Sequence, residues 1–294
     1  PYFGTVEKPE CHMLYNVTTM ATTWNSIATR DIRLLKKQMD IVNSLPKQYT
    51  FLNYLRCHDD IGWGLDFATL KDWGMDEPAH KRYLNDFFTG KHPGSDSRGE
   101  LYNDDPVTQD ARFCGTTASM CGIEAALFEK NDEKLERGIR EDLMLHAYML
   151  TQSGIPMLYS SDYSYKDDPD KAADSRYIHR GAFQWDLAKK RKSKTSVEGQ
   201  IFQTLSRMEQ IRRQESVFDK DCDVYTYDVH DDSILCILRQ KGNERFIGIF
   251  NFSDSEKTAW MQEEETFRDL ITGQTLELKD VVLPAYGFMW CKRM

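Results

Sequence analysis

Between Val17 and Leu45 apolar side chains recur at Met20, Trp24, Ile27, Ala28, Leu34, Leu35, Met39, Val42 and Leu45. That is the 3.6-residue period of one long amphipathic helix, and Pro46 closes it. The next apolar run ends abruptly in imidazole and carboxylates, as Asn53-Tyr54-Leu55-Arg56-Cys57-His58-Asp59-Asp60-Ile61-Gly62-Trp63. It reads as a buried strand that delivers polar side chains at its carboxyl end. A second helix starts at Asn131, a good N-cap, and runs through Leu135, Ile139, Leu143, Ala147 and Leu150 to Gly154, a residue suited to a helix C-terminus. Ile155 to Tyr159 follows as a short buried strand.

The stretch from about 64 to 114 breaks this alternation with Gly90, Pro93, Gly94, Gly99, Pro106 and many aspartates. A long connection of this kind marks a binding loop or lid, and Pro78 to Thr89 supplies a helix within it. After a helix over Val197 to Arg213 the pattern changes to short alternating runs at 224–229, 233–239, 245–252, 257–261, 275–278 and 288–291. Lys241-Gly242-Asn243 and Thr272-Gly273-Gln274 punctuate them, as turns between antiparallel strands do. The expected architecture is therefore α/β over residues 1–215, with an insertion at about 64–114, and an antiparallel β domain over 216–294.

Composition narrows the function. A chain of 294 residues can build about two ordinary domains, and its apolar runs fall short of the roughly 18 residues a membrane span needs. The amino terminus has neither the charged nor the apolar region of a secretory leader. A net charge of −9 disfavours nucleic acid as a partner. The one basic cluster, Lys189-Lys190-Arg191-Lys192-Ser193-Lys194, reads as a solvated loop. Seven scattered cysteines show no metal-ligand spacing and fit reduced thiols in a cytoplasmic protein. Asn16-Val17-Thr18 and Asn251-Phe252-Ser253 match the glycosylation sequon but fall inside expected regular structure. Asp167-Asp168-Pro169-Asp170 lacks the glycine and terminal glutamate of a calcium loop and reads as a solvated acidic loop.

In a parallel β/α barrel the carboxyl ends of the strands form the catalytic face, which makes His58 and Asp59 site candidates. At these residues the sequence resembles glycoside hydrolase family 13, the α-amylase family, and its amylosucrase-like branch in particular. The resemblance rests on Arg56-Cys57-His58-Asp59-Asp60-Ile61-Gly62-Trp63 as the seventh-strand motif. Tyr15-Asn16 with Met20, Trp24-Asn25 and Ala28-Thr29-Arg30 resembles the sixth strand and its helix. Asp110-Ala111-Arg112 before Gly115-Thr116, Asp174-Ser175-Arg176 before His179-Arg180, and Leu283-Pro284-Ala285-Tyr286-Gly287-Phe288 resemble further signatures in the same order.

The resemblance implies strands six to eight of a (β/α)8 TIM barrel, an insertion after the seventh, and a C-terminal antiparallel β-sandwich. Retaining glycosidases place a nucleophilic carboxylate and a proton-donating carboxylic acid about 5 Å apart around an oxocarbenium-like transition state. Here the resemblance implies that Asp59 is the third carboxylate, which stabilises that transition state, and that His58 binds the glucosyl ring. It places Asp60 and Arg112 at the acceptor subsite, and Arg176 at the pocket floor, paired with an upstream aspartate. It implies no cofactor and no metal. The nucleophile and acid/base come from the family's fourth and fifth strands, so a chain that opens at Pro1 without Met is expected to be a piece of a larger enzyme, inactive alone. Its partner would be the amino-terminal part or a second copy.

Two departures stand out: Cys57 replaces the usual serine or asparagine, and Ser160-Ser161-Asp162-Tyr163 stands where Gly-Asp-Glu usually ends the eighth strand. The implied substrate is sucrose or a maltooligosaccharide or other α-glucan, by hydrolysis or transfer. An inactive carbohydrate-binding or scaffold subunit is the alternative from outside the enzyme class.

Overall fold

The computed structural model describes residues 2–108, 110–160 and 174–294. The acidic run at 167–170 and three of the four residues Ser160–Tyr163 lie outside them. A three-stranded parallel sheet, in the order β1-β2-β5, opens the architecture. β1 (Met13–Tyr15) pairs with β2 (Thr50–Asn53), Leu14 opposite Phe51, and β2 pairs with β5 (Ile155–Pro156), Leu52 opposite Ile155. Asn53 ties the carboxyl ends of β1 and β2 to the turn that leads into β5. Its Oδ1 accepts from Asn16 Nδ2 at 2.8 Å and its Nδ2 donates to the Ser153 carbonyl at 2.7 Å.

The first helical run is two helices, α1 (Val17–Thr29) and α2 (Arg33–Asn43). The apolar period cannot register the break, because tertiary contacts impose it. Arg30 sits in the left-handed region at φ 56° and its guanidinium meets Asp254 at 2.5 Å, while the Ile32 amide donates to the Asp232 carbonyl at 2.7 Å. The strand after it is also shorter than the apolar run: β2 ends at Asn53, and Tyr54, Leu55 and Arg56 continue buried but outside the ladder.

The insertion is more ordered than a loop. Asp66 and Asp76 cap α3 (Phe67–Asp72) and α4 (Glu77–Phe88) through the amides of Thr69 and Ala79, and β3 (Glu100–Tyr102) pairs antiparallel with β4 (Arg112–Cys114). α5 (Thr117–Met120) and α6 (Ile123–Glu129) lead into α7 (Asp132–Thr151), which Asn131 caps by accepting from the Lys134 amide at 3.0 Å. β5 covers only two residues, and Ile155 is half exposed because the strand is a sheet edge. Gly154 makes the turn at φ 111°, where a Cβ would lie 2.4 Å from the Phe51 carbonyl.

The basic cluster lies at the end of α8 (Trp185–Lys189) and in the 3₁₀ turn Lys190–Lys192 rather than in a loop, although its side chains remain solvated. α9 (Val197–Gln214), capped by Ser196, packs against α7.

The carboxyl-terminal strands form a six-stranded antiparallel sheet in the order β11-β10-β13-β8-β7-β6 and a two-stranded one, β12-β9. They are β6 (Asp223–Tyr227), β7 (Ile234–Lys241), β8 (Glu244–Asn251), β9 (Lys257–Trp260), β10 (Thr266–Asp269), β11 (Thr275–Glu277), β12 (Asp280–Leu283) and β13 (Phe288–Arg293). Successive strand residues face opposite sides, and here both sides are buried. Leu235, Ile237, Phe246, Phe250 and Trp290 join Trp24, Leu35, Tyr148 and Leu205 in the main core, whereas Ile234, Cys236, Ile247 and Ile249 pack with Ala259, Val281 and Leu283 in a second. β10 and β12 escape the sequence pattern: each has one or two inward apolar residues, Phe267 in one and Val281 with Leu283 in the other. Among the described residues no helix is long and apolar enough to cross a membrane.

Candidate functional site

β2 aims the chain at the site, and Trp24 fixes its exit by donating from Nε1 to the Leu55 carbonyl at 2.9 Å. Arg56, 1% exposed, donates from Nε to the Gly115 carbonyl at 2.8 Å. A two-way bridge between Ile61 and Phe113, with both N–H···O distances 2.8 Å, then ties the segment to β4. Cys57, His58, Asp59 and Asp60 are thus held between the end of the parallel sheet and the strand pair of the insertion.

The bridge brings Asp60 and Arg112 together. Arg112 Nη1 donates to Asp60 Oδ2 at 3.2 Å, with the aspartate side chain 8% exposed and the guanidinium largely open. Asp60 also acts electrostatically on Arg176. Arg176 is gripped through Nε and Nη2 by both carboxylate oxygens of Asp174 at 2.5–3.1 Å, and its guanidinium stacks 4.3 Å from the Tyr102 ring centroid. The guanidinium hydrogen bonds pull the Asp174 carboxyl down to about 2, and Asp174 raises Arg176 in turn. Among the described residues the aspartate paired with Arg176 is this near neighbour. Ser175 Oγ donates to the Leu101 carbonyl at 2.9 Å, so the 3₁₀ turn Ser175–His179 is anchored on β3.

His58 and Asp59 stand at the open side of this arrangement, their side chains 65% and 62% exposed, with His58 Nε2 3.4 Å from Asp59 Oδ1. That separation exceeds an ordinary N–H···O hydrogen bond, which leaves both groups available to a third. The backbone beneath them is firmly held. Arg180 Nε donates to the His58 carbonyl at 2.6 Å and Arg180 Nη2 lies 3.5 Å from Asp59 Oδ1. His179 Nε2 lies 3.2 Å from the same carbonyl. Burial, helped by the charge of Arg56, lowers His179 to about 3. It is therefore neutral, and because a carbonyl only accepts, its proton sits on Nε2.

Of the residues singled out at sequence level, the structure pairs Asp60 with Arg112 and sets His58 beside Asp59, while Arg176 feels the charge of Asp60. Sequence reasoning did not assign Arg180, His179, Asp174 or Tyr102 to the site. The His179-Arg180 dipeptide three residues past Arg176 was the available signal, but nothing in it states that both side chains reach back to the carbonyl of His58. A depression of about 530 Å³ lined by Arg33, Lys36, Lys37, Asp40, Ile41 and Ser44 includes none of these residues. Cys57, His58 and Asp59 each present a ligand-type atom, all within 4.8 Å of one another.

Comparison with known proteins matches residues 236–288 to the family model of the β-galactosidase C-terminal domain. Among solved structures, 99% of the chain superposes on 51% of AmyP in complex with maltose, with a TM-score of 0.61 and 11% identity. An Anoxybacillus α-amylase shares the fold over 97% of this chain and 48% of its own, with a TM-score of 0.53 and 13% identity. Sucrose 6F-phosphate phosphorylase from Thermoanaerobacter thermosaccharolyticum does so over 92% and 47%, with a TM-score of 0.58 and 15% identity. The chain spans about half the length of these proteins. The resemblance to glycoside hydrolase family 13 read from the motifs is met by a fold shared over nearly the whole chain with an α-amylase.

Proposed function

We propose that this chain is the C-terminal half of an α-glucosyl-active retaining glycoside hydrolase or transglucosidase, in which Asp59 stabilises the transition state. The observation that carries the reading is the position of Asp59. It is an open carboxylate beyond a parallel strand, beside His58 and within a rim formed by the Asp60–Arg112 and Asp174–Arg176 pairs. In this reading β1, β2 and β5 are strands six, seven and eight of the barrel, residues 1–215 form its last part with the insertion at 64–114, and 216–294 form the C-terminal domain.

As the glycosidic bond breaks, positive charge grows on the sugar ring. A carboxylate contributes to catalysis only where its attraction strengthens with that charge. Asp59 meets this need because its nearest cations leave an oxygen free, and the His58 ring can donate to a sugar hydroxyl beside it. Arg112 and Arg176 stay charged at every working pH and present fixed donor forks. Arg112 with Asp60 orients an acceptor, while Arg176, locked by Asp174, closes the floor. In this reading the nucleophile and the acid/base come from elsewhere in the assembled enzyme, since among the described residues the neighbouring Asp60 and Asp174 are each paired with an arginine.

The match to a protein solved with maltose favours a maltooligosaccharide or other α-glucan as substrate, and the likeness to a sucrose 6F-phosphate phosphorylase keeps a sucrose-type donor beside it. The test is release of glucose and fructose from sucrose, and of glucose from maltotriose, by the purified chain and by Asp59→Asn, together with NMR titration of both sugars. No turnover is expected from either protein, while maltotriose or sucrose shifts the signals of His58, Arg112 and Arg176. Turnover that Asp59→Asn abolishes would overturn the missing-carboxylate part of the reading. Sugars that leave all three signals unmoved would sink the reading itself.

A further inference from the structure

We propose that Cys57, His58 and Asp59 form a binding site for one thiophilic divalent cation of the zinc and cadmium class. Three chemically distinct ligands, a thiol sulfur, an imidazole nitrogen and a carboxylate oxygen, converge within 4.8 Å. In a tetrahedral zinc site the metal lies about 2.0–2.3 Å from each ligand, so the ligand atoms stand about 3.3–3.7 Å apart. The His58–Asp59 edge of the triangle, 3.4 Å, already has that length. The remaining closure needs a movement on the order of 1 Å, which the open side chains of His58 and Asp59 can make without disturbing the core.

Cys57 is the fixed member. It is half-buried, and the Asp59 amide lies 3.4 Å from its sulfur, an arrangement that curls the tripeptide so that the three side chains share one side. The site exists because a cysteine stands where the family resemblance leads one to expect serine or asparagine. A hard cation such as calcium or magnesium, which wants six or more oxygens, finds a single carboxylate here. On binding, Cys57 gives its proton to solvent and coordinates as thiolate, His58 as neutral imidazole, and Asp59 as carboxylate, with the fourth position open to water or a sugar hydroxyl. Arg180 opposes the cation from 3.5 Å on Asp59. Binding therefore has to pull Asp59 away from that guanidinium.

Spacing rules miss the site, since they look for ligands two to five residues apart and these are consecutive. Occupancy would take Asp59 out of service and so block glucosyl chemistry. That consequence rests on the proposed function, whereas binding does not. The experiment is titration of the reduced chain with cadmium chloride, followed by calorimetry and by the ultraviolet sulfur-to-cadmium charge-transfer band. One equivalent binds to the wild type, and Cys57→Ser loses the band and weakens binding at least tenfold. His58→Ala weakens it about tenfold and keeps the band, and Arg180→Gln tightens it. Cys11→Ser, altered at a cysteine whose thiol donates to its own strand's Met13 carbonyl, binds as the wild type does. Absence of a cadmium equivalent, or a band that survives Cys57→Ser, would overturn the site. Because no sugar takes part, either outcome leaves the glucosyl reading to its own test.

Discussion

At the scale of single residues, the held backbone beneath His58 and Asp59 depends on close fits that tolerate no added atom. Gly99 approaches the Phe113 ring so closely that a Cβ would fall 2.2 Å from Cζ and 2.6 Å from the Cys114 carbonyl. Phe113 is fully buried, and it carries the bridge to Ile61 that joins Asp60 to Arg112. Gly99→Ala should destabilise the chain by about 1–3 kcal/mol, as overpacking does, and should loosen the Asp60–Arg112 pair. Urea unfolding gives the first quantity, and the Arg112 side-chain NMR signal reports the second. His58, Asp59, Asp60, Arg112 and Arg176 could be singled out in the sequence because each sits in a motif that resembles one of the family's. Arg180 and Asp174 could not, because their parts depend on which carbonyl or guanidinium they meet. That is set by the course of the 3₁₀ turn on β3, and no local pattern encodes it.

At the scale of elements, α7 shows what a helix end needs when it is buried. Its last carbonyls lack intrahelical partners, and two arginines from other elements supply them. Arg212 of α9 donates to the Leu150 carbonyl at 2.5 Å, and Arg239 of β7 donates to Thr151 at 2.9 Å and also to Val217 and Asp219. Burial pulls the pKa of both guanidiniums down, yet each stays charged because carbonyls surround it. Arg239→Met would take the arginine donor from the Thr151 and Val217 carbonyls, while Asp219 keeps the Cys222 amide. At about 1–3 kcal/mol for each buried polar group left unsatisfied, the loss should be about 2–6 kcal/mol in denaturant unfolding. At the other end of the same helix, Asn131→Ala should cost only about 1 kcal/mol, the worth of an exposed cap. The Asn131 cap was readable from the residue before an apolar period. The arginine caps were not, since Arg212 and Arg239 lie 62 and 88 residues from the carbonyls they serve. The division of the first helix at Arg30 was hidden for the same reason, because Asp232 and Asp254 impose it from the β domain.

At the scale of the whole molecule, one core joins the helical part to the inner face of the six-stranded sheet, and a buried acid lies within that junction. Glu141 of α7 is fully enclosed, hydrogen-bonded by Cys121 and Tyr286, with Arg137 and Asp142 nearby, and burial pushes its pKa from 4.5 up to about 8. The folded state therefore holds this proton more tightly than the unfolded chain does. The associated stability is complete below pH 4.5, falls by up to about 1.4 kcal/mol per pH unit towards pH 8, and is level above it. Glu141→Gln should remove that slope and raise the melting temperature at pH 8, which thermal melts from pH 5 to 9 would reveal; parallel slopes in both proteins would contradict it. The parallel sheet presents a different kind of surface. β1 and β5 are the edges of a three-stranded parallel sheet, and Met13, Tyr15 and Ile155 are 41%, 52% and 48% exposed there. Parallel sheets are stable when both faces and edges are covered, so under the proposed function this surface should take up either further barrel strands or a second copy. Sedimentation velocity of the chain by itself should show concentration-dependent association, and Tyr15→Lys with Ile155→Lys should shift it to monomer while the near-ultraviolet circular dichroism of the core aromatics is unchanged. A wild-type chain that stays monomeric at every concentration would mean that the edges are covered from within, and that association with further strands is not what completes this fold.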